Sequence, residues 1–221
     1  MQIVCLDLEG VLTPEIWIEF SRRSGIPELA KTTRDEPDYD KLMRARLDIL
    51  DERGLGLPDI QKVIAGMRPL EGAREFLDWL RAQCQVVILS DTYYQFAAPL
   101  MRALGYPTLF CNELVVEPGG RVRDYRLRMK EQKRVSVKAF SDLNFHTIAV
   151  GDSYNDTAML AEAHAGILFC PPANVAAEFP QFPLARNYAE LRRAILAAGK
   201  ARKPDGNARL RKRGSPIGPR C

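Results

Sequence analysis

Four short apolar runs punctuate the chain, at residues 3–8, 86–89, 147–150 and 166–169. Within each the apolar character is nearly continuous, the pattern of strands covered on both faces rather than the alternation of a half-exposed sheet. Between them lie amphipathic stretches at helical spacing, including residues 72–81, 95–104, 135–140 and 157–163. Strands alternating with helices predict an α/β fold on a parallel sheet. Ligands of such sheets collect beyond the carboxyl ends of the strands.

The spacing is uneven. The first run ends near residue 8 and the second begins near 86, with helical patterns at residues 14–24, Tyr39–Glu52, 58–66 and 72–81 between them. One crossover needs only one helix, so residues 14–69 are expected to form an inserted α-helical cap over the first strand end. The catalytic core is then residues 1–13 and 70–199. Residues 114–122 read as a hairpin that turns at Pro118-Gly119-Gly120. Residues 200–221 hold eight Lys/Arg against one acid, Asp205, are broken by Pro and Gly, and have almost no apolar content. They predict a disordered basic tail.

Composition narrows the partners. The chain has 221 residues, 46% hydrophobic and 27% charged, and no apolar run nears the roughly 20 residues of a membrane span. Of the net charge of +4, the tail supplies +7 and the rest of the chain −3. The folded part therefore offers no reason to expect nucleic acid as a partner, and a membrane is not expected either. Met1-Gln2-Ile3-Val4-Cys5-Leu6 has no basic leader and reads as a strand rather than a signal peptide. The five cysteines are widely spaced, with no pair at metal or redox spacing, and fit a reducing cytoplasm. His146 and His164 both lie near apolar segments and are expected to be structural. A homodimer is left open.

The acids carry the chemistry. The first strand runs into Asp7-Leu8-Glu9-Gly10-Val11, the second into Ser90-Asp91-Thr92, and the third into Gly151-Asp152-Ser153-Tyr154-Asn155-Asp156. All three ends meet at one edge of a parallel sheet. Asp7 and Glu9 are two apart, so an extended backbone turns both to one side. Converging carboxylates repel unless a cation lies between them, and hard oxygen donors at a phosphate site suit Mg²⁺. Asp91, Thr92 and Asp152 could each be a simple helix cap. Three acidic strand ends, one of them paired, are hard to explain that way.

As a set, these motifs and a following Lys resemble the haloacid dehalogenase superfamily of phosphatases. The helical insert resembles the phosphoserine phosphatase branch, including bacterial members that also pass the phosphoryl group to homoserine. The likeness covers about residues 3–170. It implies a Rossmann-like three-layer parallel sheet with an inserted α-helical cap. Glu9 departs from the usual Asp at its place, adding one methylene of reach. The roles implied are Asp7 as nucleophile, Glu9 as general acid and base, and Ser90, Asp91, Lys133 and Asn155 as substrate contacts. Mg²⁺ would sit on Asp7, Asp152 and the backbone carbonyl of Glu9. Asp156 would hold the metal's water shell or orient Lys133. Lys130 also precedes the helical pattern at residues 135–140, but Lys133 lies closer to its start.

Arg46 interrupts the apolar face of Tyr39–Glu52, so it must reach solvent or meet an anion. Glu15 follows Pro14 and is expected in the first turn of the first helix of the insert, where it could simply favour the helix dipole. The resemblance implies instead that Glu15 and Arg46 hold the ammonium and carboxylate of a phosphoamino acid. Two alternatives stay open: a phosphatase of the same fold for another small phosphate ester, and a non-catalytic phosphate-binding regulatory module.

Overall fold

The computed structural model describes residues 1–33, 35, 36 and 38–200. The apolar runs pair into one sheet of β1 (Gln2–Leu6), β2 (Gln85–Tyr93), β3 (Leu109–Val116), β4 (Val122–Arg126), β5 (His146–Gly151), β6 (Ala165–Phe169) and β7 (Leu184–Ala185). The order is β4-β3-β2-β1-β5-β6-β7. Every neighbouring pair is parallel except β3 and β4. The chain leaves β1 toward β2 and β3 on one side, then returns to β5 on the other. The carboxyl end of β1 thus lies at the switch point where an open α/β sheet forms its crevice.

Alternation along β1 serves two cores. Val4 and Leu6 pack with Ile88, Ile148 and Val150 on one face. Ile3 and Cys5 pack with Val87, Leu89 and Ala149 on the other. The first face is covered by α4 (Ala73–Arg81), α5 (Tyr94–Ala103) and α9 (Tyr188–Lys200), through residues such as Phe76, Leu100 and Leu191. The second is covered by α6 (Gln132–Asp142), α7 (Thr157–Glu162) and α8 (Ala173–Glu178), through Val137, Met159 and Val175. Burying each such side chain contributes about 1.5–3 kcal/mol, which explains why the continuous apolar runs become the central strands.

The segment between β1 and α4 holds α1 (Ile16–Ser24), a 3₁₀ turn (Pro27–Ala30), α2 (Tyr39–Glu52) and α3 (Leu57–Ala65). Asp38 caps α2 by accepting the Asp40 and Lys41 amides. Met43, Leu47, Leu50, Ile60 and Ile64 join the first core cluster, so this segment packs continuously with the sheet layer.

Several details differ from the sequence expectations. β2 does not stop before Ser90-Asp91-Thr92 but continues to Tyr93, where pairing with β3 resumes after a register shift. The expected hairpin extends back to Leu109 and joins the main sheet, because Asn112 and Glu113 break an apolar run that would otherwise mark a strand. Glu15 lies one residue outside α1, with extended backbone (φ −63°, ψ 120°), and not in its first turn. Lys133 is inside α6, which begins at Gln132. The helices α8 and α9 and the strand β7 were not foreseen. Lys200, expected to begin the tail, ends α9, and residues 201–221 lie outside the described residues.

His146 opens β5 at the edge away from the carboxyl ends, with the His164 ring centre 4.9 Å away and tilted by 44°. His164 Nδ1 meets Thr147 Oγ1 at 2.8 Å and His146 Nε2 meets the Ala198 carbonyl at 3.2 Å, as expected of structural histidines. Among the described residues no helix is long and apolar enough to cross a membrane.

Candidate active site

After Leu6 the backbone leaves the sheet through a tight turn. Leu12 and Thr13 N–H groups both return to the Leu8 carbonyl, and Gly10 N–H donates to Thr13 O at 2.8 Å. This turn, rather than a continued strand, brings both Asp7 and Glu9 to one cavity of about 330 Å³. Gly10 has φ +76°, and a Cβ on it would stand 2.4 Å from Asp152 Cγ. The glycine therefore lets the Asp152 carboxylate close against the loop. Gly151 plays the same part for Asp156, whose Cβ lies 2.3 Å from where a side chain would begin.

Asp7, Asp152 and Asp156 each bring a carboxylate oxygen to within 4.8 Å of the others. Lys133 Nζ lies 3.0 Å from Asp7, 2.8 Å from Asp156 and 3.4 Å from Asp91. Asp156 is wholly buried: one oxygen accepts from Lys133 and the other from the Asp152 and Ser153 amides. It thereby orients Lys133. Asp7 Oδ1 also accepts the Leu8 amide at 2.8 Å.

The electrostatics follow from this crowding. Burial, then the Asp156 carboxylate, then Asp152 and Asp91 push the Asp7 carboxyl well above its ordinary range, and Lys133 alone opposes them. Burial would lower the Lys133 ammonium, but Asp156, Asp7 and Asp91 overcome it and hold the pKa well above normal. For Asp91, burial is outweighed by Lys133, Asn155 and Gln132, which hold its carboxyl low. One ammonium faces three carboxylates, and Asp152 adds a fourth beside Asp7. The oxygen donors grouped around Asp7 fit a metal cation, which would relieve the repulsion that Lys133 leaves. The Glu9 carboxylate is not in this group.

Glu9 faces the other wall. Burial, repulsion from Glu15 and a hydrogen bond with Glu15 raise its carboxyl well above normal, against the lowering effect of Arg46. Arg46, only 6% exposed, has its guanidinium 4.5 Å from the Trp17 ring centre, with Nη2 donating to the Lys31 carbonyl at 2.6 Å. Its buried Nε has no hydrogen-bond partner among the described residues. Glu15 and Arg46 both line the cavity, as do Ser90, Asp91, Lys133, Asp152 and Asn155. Asn155 Nδ2 donates to Asp91 Oδ2 at 3.1 Å. Asp156 and Lys130 do not line it.

Sequence reasoning missed three neighbours. Trp17 supports Arg46 from α1, Gln132 holds the carbonyl of Ser90 from α6, and Tyr39 reaches the Asp91 carbonyl from α2. Only Gln132, beside Lys133, had a local signal. The other two become partners through the packing of α1 and α2 on the core.

A family model for haloacid dehalogenase-like hydrolases matches residues 1–164. The chain belongs to this family. Two curated relatives extend the family likeness over most of the chain. It is 62% identical over 198 residues to the phosphoserine phosphatase ThrH of Pseudomonas aeruginosa, covering 90% of this chain and 97% of that protein. It is 59% identical over 198 residues to a phosphoserine phosphatase of Pseudomonas syringae pv. tomato, covering 90% and 84%. The hydrolase fold is also that of a substrate-bound phosphoserine phosphatase structure, with a TM-score of 0.72 at 22% identity over 87% of this chain and 97% of that one.

Proposed function

We propose that the protein hydrolyses phosphoserine to serine and phosphate through a phosphoryl group carried on Asp7. The observation that carries this reading is one cavity with two unlike walls. On one side are Asp7, Lys133 and Asp152; on the other are Glu15 and Arg46. A zwitterionic amino acid bearing a phosphate matches both walls at once. The phosphoserine phosphatase relatives at 62% and 59% identity support the same substrate.

In this reading the helical insert, residues 14–69, is the cap, and residues 1–13 and 70–199 form the catalytic core. Arg46 binds the substrate carboxylate and Glu15 its ammonium. Ser90 and Lys133 hold the phosphoryl oxygens, with Asp91 and Asn155 forming the hydrogen-bonded rim beside them. Among the described residues no hydrogen bond reaches Asp7 Oδ2, which makes it the attacking oxygen. As Oδ2 bonds to phosphorus, the bond from phosphorus to the serine oxygen breaks, and Glu9 gives that oxygen its proton. Its raised carboxyl suits an acid that must hold a proton near neutral pH. Glu9 then takes a proton from the incoming hydroxyl as the bond from phosphorus to Asp7 breaks. Asp7, Asp152 and the Glu9 carbonyl would hold Mg²⁺, with Asp156 behind them. The ion's charge would let an anion approach a phosphate. The free thiols of Cys5, Cys84, Cys111 and Cys170 support a cytoplasmic setting.

The same intermediate can pass to an alcohol. Homoserine carries the same ammonium and carboxylate as serine, with its hydroxyl one methylene further out. It can take the place of departed serine on Glu15 and Arg46, and the longer Glu9 suits that reach. The test is to incubate the protein with Mg²⁺, phosphoserine and excess homoserine and to follow phosphorus by NMR. Inorganic phosphate is expected without homoserine, and phosphohomoserine with it. No phosphate release from phosphoserine would overturn the whole reading. Phosphate alone at saturating homoserine would remove the transfer.

A further inference from the structure

The strand end that carries Ser90 is not held by regular strand pairing. β1 pairs with β2 only as far as Leu6 and Ile88, and between Leu89 and Tyr93 the register with β3 shifts. The carbonyls of that bulge need other donors, since a buried carbonyl left without one costs roughly 1–3 kcal/mol. Gln132 Nε2 donates to the Ser90 carbonyl. Asn112 Nδ2 donates to the Asp91 carbonyl at 3.0 Å. The first lies on α6 and the second on β3 of the sheet itself. The third donor comes from the helical insert. The Tyr39 hydroxyl, at the start of α2, donates to the Asp91 carbonyl at 3.3 Å and meets the Tyr93 hydroxyl at 2.8 Å.

The Asp91 carbonyl and the Thr92 amide belong to one planar peptide unit, so holding the oxygen aims the N–H. That N–H donates to Ser90 Oγ at 3.3 Å. Together with Asn112, a side chain of the helical insert thus aims, through one peptide plane, the hydroxyl expected to meet the phosphoryl group. The position of Tyr39 is in turn set by how α2 sits on the β3–β4 hairpin. Its ring stands edge-on to Tyr125 at 5.8 Å, Tyr125 Oη donates to Asp40, and Arg44 pairs with Asp124 at 2.8 Å.

We infer that Tyr39 is a positioning residue for the phosphate-binding strand end, which is fully assembled only when α2 is seated on the core. This rests on the reading of the site as a phosphoryl-transfer centre. It adds that the insert shapes the phosphate half of the site as well as the amino-acid half.

The test compares Tyr39→Phe with Tyr125→Phe. The second variant loses a hydroxyl at the same interface whose hydrogen bond goes to Asp40 and not to the backbone of the bulge. Phosphoserine and a simple aryl phosphate serve as substrates, and inorganic phosphate as inhibitor. Its inhibition constant is independent of how much of a variant is folded. Tyr39→Phe is expected to lower kcat/KM on both esters roughly three- to tenfold and to weaken phosphate inhibition to a similar extent. Tyr125→Phe keeps the ring that stands against Tyr39 and loses only its bond to the exposed Asp40, so it should stay within about twofold on all three measures. A loss confined to phosphoserine would mean that Tyr39 touches the amino-acid half, and no loss would mean that the bulge holds itself. Either result overturns the inference. Absence of turnover in the unmodified protein would instead overturn the parent reading, and this inference with it.

Discussion

Asp7 combines three demands that compete. In the proposed mechanism it must be buried to exclude water, ionised to attack, and surrounded by the carboxylates that would hold a cation. Burial and repulsion raise its carboxyl, and a single lysine opposes them. Asp7→Asn removes the nucleophile and much of the repulsion together. Turnover should fall roughly 10³-fold or more, while the melting temperature, read by circular dichroism, holds or rises. Chelation of the unmodified protein with EDTA should abolish phosphate release and excess Mg²⁺ should restore it. Arg46 tests the opposite wall. Arg46→Ala should cut kcat/KM for phosphoserine by roughly 30- to 100-fold, but for an aryl phosphate, which has no carboxylate, by no more than about threefold. Parallel kinetics on the two esters check this. Equal losses would show that Arg46 is chiefly a packing residue on Trp17.

Elements act here through what they leave out as much as what they supply. The loop after β1 works because Gly10 has no side chain at φ +76°, where a Cβ would meet the Asp152 carboxylate. Gly10→Ala should therefore push Asp152 away. The expected outcome is a rise of about tenfold in the Mg²⁺ concentration for half-maximal activity. A Mg²⁺ titration of phosphate release measures it, and an unchanged midpoint would mean that Asp152 does not contribute to the metal. The turn at Gly151 makes the same allowance for Asp156, which buries completely and steers Lys133. At this scale the helical insert is tied to the hairpin by exposed pairs, Arg44 with Asp124 and Arg121 with Asp51. Such pairs contribute about 0–1 kcal/mol each, so they guide the seating of α2 more than they lock it.

At the scale of the molecule, the described residues already supply a complete cavity and two core clusters. Deleting residues 201–221 should leave phosphate release within about twofold and the melting temperature nearly unchanged. Activity assays and thermal melts of the shortened chain check this. The one-site architecture also means that the insert cannot be treated as a separable lid. Met43, Leu47 and Ile64 belong to the same core cluster as Val4 and Leu6.

The sequence by itself determined the strands β1, β2, β5 and β6, the sheet edge that carries the site, and the acids on it. These are encoded locally: continuous apolar runs can be satisfied only as covered strands, and the Asp and Asp-x-Glu motifs fall directly after them. It also marked Arg46, because a cation that interrupts an apolar helix face needs a partner, whereas Lys133 stands out only through the resemblance to the family's lysine before a helix. Only the tertiary structure decided the rest. That Asp156 spends both oxygens on Lys133 and two amides, that Glu9 turns toward Glu15 rather than the metal group, and that Tyr39 reaches the Asp91 carbonyl depend on side chains far apart in the chain. No spacing rule records such contacts, since each arises from how one packed element is seated on another. β3 and α9 were hidden for the reason that the central strands were plain: periodicity reports burial. Asn112 and Glu113 interrupt the apolar run of β3, and only Leu191 and Ile195 of α9 are fully buried.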